Sequence, residues 1–220
     1  MPIDGRRAFV AASLLAPVAL AACGGGGPVE GSGRTASAVR RVAPFERVVL
    51  TGAADMRIGV GGAQRVTVRG DDNLLPYVRT SSTGRTLTVS LRRSVRARSR
   101  LVVDVTAPAL TGVRLEGAGD VRVLGLRARA FRAELTGAGI LEASGRVDLL
   151  EARLAGAGSA DLDRLTARAA RVEVSGVGSA RVRCTEALDA TLTGIGEVTY
   201  SGHPRRVTTH VTGTGRVGPL

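Results

Sequence analysis

From residue 117 onward a Gly-x-Gly tripeptide recurs at near-constant spacing, at Gly117/Gly119, Gly137/Gly139, Gly156/Gly158, Gly176/Gly178, Gly194/Gly196 and Gly213/Gly215. The first glycines of successive copies lie 20, 19, 20, 18 and 19 residues apart. A unit of that length cannot bury its own apolar face, so each copy must be covered by the next, as in the coils of a solenoid.

Aligned on the first glycine, the copies form columns. Two residues before it stand Leu115, Leu135, Leu154, Val174, Leu192 and Val211, and four before it Val113, Ala133, Ala152, Val172, Ala190 and Thr209. After the glycines come Val121, Leu141, Ala160, Ala180, Val198 and Val217. Alternate positions are therefore apolar on both sides of the tripeptide, the two-residue period of strands with one buried face. The intervening columns are charged. Three before the glycine they read Arg114, Glu134, Arg153, Glu173, and five before it Arg132, Glu151, Arg171, Asp189. In a parallel, in-register stack these become neighbours about 4.8 Å apart, where alternating signs attract. An antiparallel meander gives no reason for that alternation. The expected fold is thus all-β, a parallel β-helix with coils of ~19 residues, each coil being strand, glycine corner, strand and a looser return. All twelve glycines are expected at the corners, since a sharp bend and crowded corners disfavour a Cβ.

Upstream the frame is degraded. Val48, Leu50, Gly52, Met56 and Ile58 fit it, while Val66 and Val68, Leu87 and Val89, and Leu101 to Val105 read as further strands without a fixed register. Irregular N-terminal coils or a cap are expected, as terminal repeats are atypical.

The first residues predict export. Arg6 and Arg7 precede an apolar run from Ala8 to Leu20, followed by Leu20-Ala21-Ala22-Cys23. That order is a signal peptide over residues 1–22, too short to remain as a spanning helix. Leu-Ala-Ala-Cys resembles the bacterial lipobox, which implies a lipid on Cys23 and a membrane anchor. Gly5-Arg6-Arg7-Ala8-Phe9-Val10 also resembles a twin-arginine signal, so both export routes stay open. Residues 23–43, rich in Gly, Ser, Ala and Arg, read as the lipidated Cys and a flexible tether, and residues 44–220 as one domain.

The net charge of +12 is carried wholly by arginine. A basic surface outside the cytoplasm favours anionic glycan or lipid polymers. Nucleic acid is not the expected partner, because beyond the signal peptide Phe45, Tyr77, Phe131 and Tyr200 are too few to stack bases and export removes the chain from nucleic acid. Cys184 is left without a disulfide partner.

The lipoprotein signal, Phe45-Glu46-Arg47-Val48-Val49-Leu50-Thr51-Gly52, the repeated Leu-x-Gly-Ala-Gly and the late Thr199-Tyr200-Ser201-Gly202-His203-Pro204 together resemble the GIN-domain family, assigned to the heads of auto-transporter adhesins. The resemblance covers Pro44 to Leu220 and implies a right-handed β-helix in the cell envelope.

Three regions bear on chemistry. Arg92, Arg96, Arg98 and Arg100 would share one side of an extended segment and could hold phosphates or uronic acids; a solvated loop explains them equally. Glu142, Asp161 and Asp163 fall together after the corner and could bind Ca²⁺ or act as acid and base in a carbohydrate-active enzyme, or simply continue the charge ladder. His203 and His210 are too isolated for zinc. The expectation is a non-catalytic binding module that needs no metal or cofactor. A structural protein assembling through its solenoid ends into a homo-oligomer is a further reading.

Overall fold

A computed structural model describes residues 27–220, so the signal peptide and Cys23 lie outside the described residues. In chain order the strands begin with β1 Val29–Glu30, β2 Thr35–Arg40, β3 Arg47–Thr51, β4 Asp55–Val60, β5 Arg65–Asp71, β6 Val78–Thr83, β7 Thr86–Leu91, β8 Val95–Arg96 and β9 Val102–Ala107. The repeats follow as β10 Gly112–Leu115, β11 Ala118–Leu135, β12 Ala138–Leu154, β13 Ala157–Val174, β14 Val177–Leu192, β15 Ile195–Ser201, β16 Arg206–Val211 and β17 Thr214–Pro219.

The repeats stack as a parallel solenoid with coils of about 20 residues. Their register is the one the columns demand. Leu115, Leu135, Leu154, Val174, Leu192 and Val211 lie opposite one another in successive coils, as do Val121, Leu141, Ala160, Ala180, Val198 and Val217. Both columns are buried until the final coil. Burying each Leu or Val contributes about 1.5–3 kcal/mol, and the stack makes these contributions mutually dependent.

Each coil has three straight runs. Within β11 the buried residues are Val121 and Val123, then Leu126, then Phe131, Ala133 and Leu135. Consecutive exposed residues, Leu124-Gly125 and Arg129-Ala130, break the alternation and mark two bends; Gly117 makes the third. The return expected to be loose is therefore an in-register strand, with bulges where successive coils differ in length. In β14, which is shorter, Cys184 lies opposite Ala167 in the middle run.

The corner is narrower than the tripeptide, and its glycines divide into two kinds. Gly117, Gly137, Gly156, Gly176, Gly194 and Gly213 stand at the bend, between strands. There proximity sets the residue: a Cβ on Gly137 would lie 2.0 Å from the carbonyl oxygen of Gly117, and one on Gly156 2.0 Å from that of Gly137. The second glycines correct the expectation that all twelve form the corner. Gly119, Gly139, Gly158, Gly178, Gly196 and Gly215 are each the second residue of the strand that follows, in β11, β12, β13, β14, β15 and β17. They lie opposite one another in the parallel ladder, so pairing with the neighbouring coil has already resumed there. Crowding still requires glycine at these positions, since a Cβ on Gly178 would lie 2.0 Å from the carbonyl oxygen of Gly158. At Gly139 a φ of +145° adds a backbone conformation that side chains disfavour. In both columns backbone occupies the space a side chain would need.

Upstream, stack order departs from chain order. β3 and β4 lie directly on β10 and β11, and Gly52 sits under Gly117 at the corner. Beneath them lie not earlier residues but later ones, β7 pairing β3 and β9 pairing β4, both in parallel. The end is then closed by antiparallel pairs, β6 on β7 and β5 on β9, with β2 on β5. This corrects the tether. Its residues 29–30 and 35–40 are strands, because Ala36 and Ala38 alternate with polar neighbours and pack against the core, covering the edge β5 would otherwise expose. At the opposite end β16 is exposed along its whole length.

Gly156→Ala is expected to cost on the order of 4 kcal/mol or to prevent folding, whereas Gly59→Ala, whose Cβ would meet nothing within 4 Å, leaves the melting temperature nearly unchanged. Leu154→Asp, placing a carboxylate at a position 2% exposed, also costs several kcal/mol. Thermal melts of the three variants check the stacking.

Candidate functional site

The outward faces of the solenoid are ladders of paired charge. Arg114 lies opposite Glu134, and Glu134 opposite Arg153, which faces Glu173. Beside them run Arg132, Glu151, Arg171 and Asp189. The stacking brings opposite charges within reach: 2.5 Å for Arg114–Glu134, 2.5 Å for Arg132–Glu151, 3.5 Å for Arg153–Glu173 and 3.4 Å for Arg171–Asp189. A further ladder, not legible from the aligned columns, occupies the middle run. There Arg168 reaches Glu186 at 2.8 Å and Asp148 at 3.9 Å, and its hydrogen bond holds the Glu186 carboxyl below its ordinary pKa. Exposed pairs of this kind contribute little singly, about 0–1 kcal/mol; their weight is in fixing register.

Glu142 and Asp161 are indeed opposite one another, at the wall of a cleft of about 400 Å³ also lined by Arg122, Ser144 and Arg164. Asp163 does not join them. The ladder is irregular beyond Glu142, and Asp163 instead accepts hydrogen bonds from Ser201 at 2.5 Å and Arg183 at 3.2 Å. Glu142 accepts one from Arg122 at 2.6 Å. These bonds hold both carboxyls below their ordinary pKa, Glu142 through Arg122 and Asp163 through Ser201 and then Arg183. A general acid needs the opposite shift. Among the described residues no three His, Cys, Asp or Glu side chains are grouped to hold a metal ion, so the alternative of a Ca²⁺ site shared by this trio is not supported. Cys184 is buried, and burial raises its thiol pKa, which suits a packing residue rather than a nucleophile.

The arginine-rich segment is not the extended stripe expected of it. Only Val95–Arg96 is strand, pairing with β1, and bends flank it, so Arg92, Arg96, Arg98 and Arg100 do not share one strand face. Arg96 pairs with Glu30 at 2.9 Å and Arg100 with Asp55 at 2.8 Å. Arg92, Arg93 and Arg98 are exposed and have no ion pair among the described residues. Sequence reasoning missed what positions them. The carboxylate of Asp71, 0% exposed, accepts backbone N–H bonds from Gly33, Arg98 and Ser99 at 3.0, 2.8 and 3.1 Å, tying the chain's first strands to the arginine loop. Neighbouring Asp72 accepts from Ser32 at 2.5 Å and pairs with Arg34 at 3.0 Å. The Asp71-Asp72-Asn73 run was the available signal, since such residues satisfy loop backbone.

Fold and surface together define a parallel β-solenoid with charge-laddered faces. The chain belongs to the family described as "Putative auto-transporter adhesin, head GIN domain", whose pattern matches residues 44–204. Among solved structures it is similar to a putative adhesin from Bacteroides fragilis, at 20% identity and a TM-score of 0.70, over 87% of this chain and 100% of that one. A putative adhesin from Parabacteroides merdae follows at 18% identity and a TM-score of 0.53, over 87% and 98%. A structure from Parabacteroides distasonis, called a putative lipid binding protein, shares 19% identity at a TM-score of 0.53, over 88% and 99%. At these identities the likeness is one of fold. A search of curated proteins finds no match to this sequence.

Burial works to raise the Asp71 pKa, but the hydrogen bonds from Ser99, Arg98 and Gly33 outweigh it, and the folded value is lowered. A lowered folded pKa means stability present above the unfolded value of about 3.9 and lost as pH falls through the folded one. Hydrogen-exchange protection at Gly33, Arg98 and Ser99 is therefore expected to persist at neutral pH and to fall below about pH 4. Asp71→Asn, which turns an amide N–H toward backbone donors, loses it at neutral pH.

Proposed function

We propose that the protein is a non-catalytic binding or adhesion module, exported and held at the cell envelope by lipid on Cys23, that grips anionic glycan or lipid polymers through arginine. One observation carries this reading. Among the described residues every Asp and Glu except Asp71, Asp120 and Asp161 is in an ion pair, while Arg92, Arg93 and Arg98 remain uncommitted. The acids are spent on the fold, and the surplus is cationic. Such a surface attracts polyanions and loses them to salt. The family's adhesin description and the lipid-binding description of one structural neighbour agree with a binding role. Within the loop the work divides: Arg96 and Arg100 fasten the segment to Glu30 and Asp55, and Arg92, Arg93 and Arg98 face the ligand.

A second reading, self-assembly through the solenoid end, is favoured by the exposed β16 edge, where Val207 and Val211 continue the buried columns at 39% and 43% exposure.

Replacing Arg92, Arg93 and Arg98 together with Ser is expected to weaken binding to an anionic glycan and flatten its salt dependence, with the melting temperature unchanged; full retention of binding would exclude the loop. Cys23→Ser is expected to abolish acylation and release the chain from the membrane fraction. Unaltered detergent partitioning would remove the anchor.

A further inference from the structure

We propose that Arg127 and Arg146, with Arg129 beside them, form a phosphate-binding site on the middle run of the solenoid. The two arginines are opposite one another in register in β11 and β12. Their neighbours Leu126 and Val147 are buried and both arginines are exposed, so the two guanidinium stems rise side by side, about 4.8 Å apart at the backbone. Like charges so placed destabilise a sheet. No ion pair relieves them: among the described residues none of Arg127, Arg129 and Arg146 has one, and beyond Arg146 the column continues with Thr166. Asp148, which the pairing of its neighbours places opposite Arg129, lies 3.9 Å from Arg168, and no acid stands opposite Arg127 or Arg146.

The contrast with the rest of the surface is what points to a ligand. The other in-register arginine pair among the described strands is Arg57 with Arg122. There each arginine has an acid on its far side, Asp104 opposite Arg57 and Glu142 opposite Arg122. Arg127 and Arg146 have none, so the missing anion must come from outside. Two adjacent guanidinium forks offer more donors than one carboxylate has acceptor positions, whereas a tetrahedral phosphate presents several oxygens and up to two charges. The site deepens the proposed function by naming phosphate as the anionic chemistry and a second face as a point of contact. It rests on that reading only for the size of the natural polymer.

The test uses the full chain carrying Cys23→Ser, so that no acyl chain contributes to binding. Its melting temperature is compared in sodium phosphate and in sodium chloride at equal ionic strength, alongside Arg127→Ser/Arg146→Ser and the triple Ser variant at Arg92, Arg93 and Arg98. Phosphate is expected to stabilise the parent and the triple variant alike. The double variant should bind phosphate about tenfold more weakly or worse, yet be at least as stable as the parent in dilute chloride, because the repulsion is gone. Equal phosphate effects in parent and double variant, or no effect in the parent, would overturn the site. Loss of the effect in the triple variant alone would do the same, by moving phosphate to the other loop. The source is then read from two probes, polyphosphate and phosphatidylcholine vesicles containing phosphatidylglycerol. Weakened binding of polyphosphate by the double variant assigns a soluble polymer, and weakened binding of vesicles assigns a lipid headgroup. Undiminished binding of both probes overturns the proposal.

Discussion

The fold depends on one contact, the backbone of each coil lying against the next at the glycine corner. The absent Cβ of Gly117, Gly137, Gly156, Gly176, Gly194 and Gly213 would in each case fall about 2 Å from the carbonyl oxygen of the glycine below. That approach fixes the height of the coil and, because the corner recurs in every coil, fixes the register of both adjoining strands. A slip of one residue would bring Arg132, Glu134 and their ladder mates into the core. Leu154 and its column stay buried because the corner does not permit such a slip.

A stack locked in register turns the outer surface into columns, and columns make charge a collective property. Two arginines that would merely be neighbours on a helix become permanent partners here, with no freedom to move apart. Alternating signs down Arg132, Glu151, Arg171 and Asp189 answer that constraint. The same logic consumes most of the chain's carboxylates within the protein, leaving the cationic surplus on which a polyanion-binding role rests. It also explains why Glu142 and Asp163 are held ionised by arginine and hydroxyl neighbours rather than poised for proton transfer.

Wherever spacing alone determines structure, the sequence is legible. The columns through Leu154 and Val121, the first glycine of each corner and the two flanking ladders can be written from the repeat, because a two-residue period and a constant coil length leave no other register. The second glycines show the limit of a composition argument: glycine signals crowding at Gly119 and its column, but not that the strand has already begun there. Legibility ends where the chain stops repeating. Nothing in the spacing of Leu87 and Val89 indicates that β7 lies below the earlier β3, since that order is decided by which edge remains open in three dimensions. Ala36 and Ala38 read as tether because small residues carry a weak hydrophobic signal, although two methyl groups suffice to seat a covering strand. The stripe from Arg92 to Arg100 assumes an extended backbone, and Asp71 bends it by drawing the N–H groups of Arg98 and Ser99 to one carboxylate. The middle-run ladder is hidden because coils of unequal length shift its alignment, as the irregularity between β13 and β14 records.

In-register stacking of consecutive coils is the claim on which the rest stands, and a cross-link between two coils tests it. Ser159 and Ser179 are directly opposite in β13 and β14, their hydroxyl oxygens 3.0 Å apart. Neighbouring Cα atoms at about 4.8 Å fall within the range a disulfide spans. In a chain already carrying Cys23→Ser, the pair Ser159→Cys and Ser179→Cys is predicted to form an intrachain disulfide on mild oxidation, found by peptide mapping, with buried Cys184 unmodified and the cooperative melt retained. Cross-linking only between molecules, or none in the folded protein, would contradict the stack.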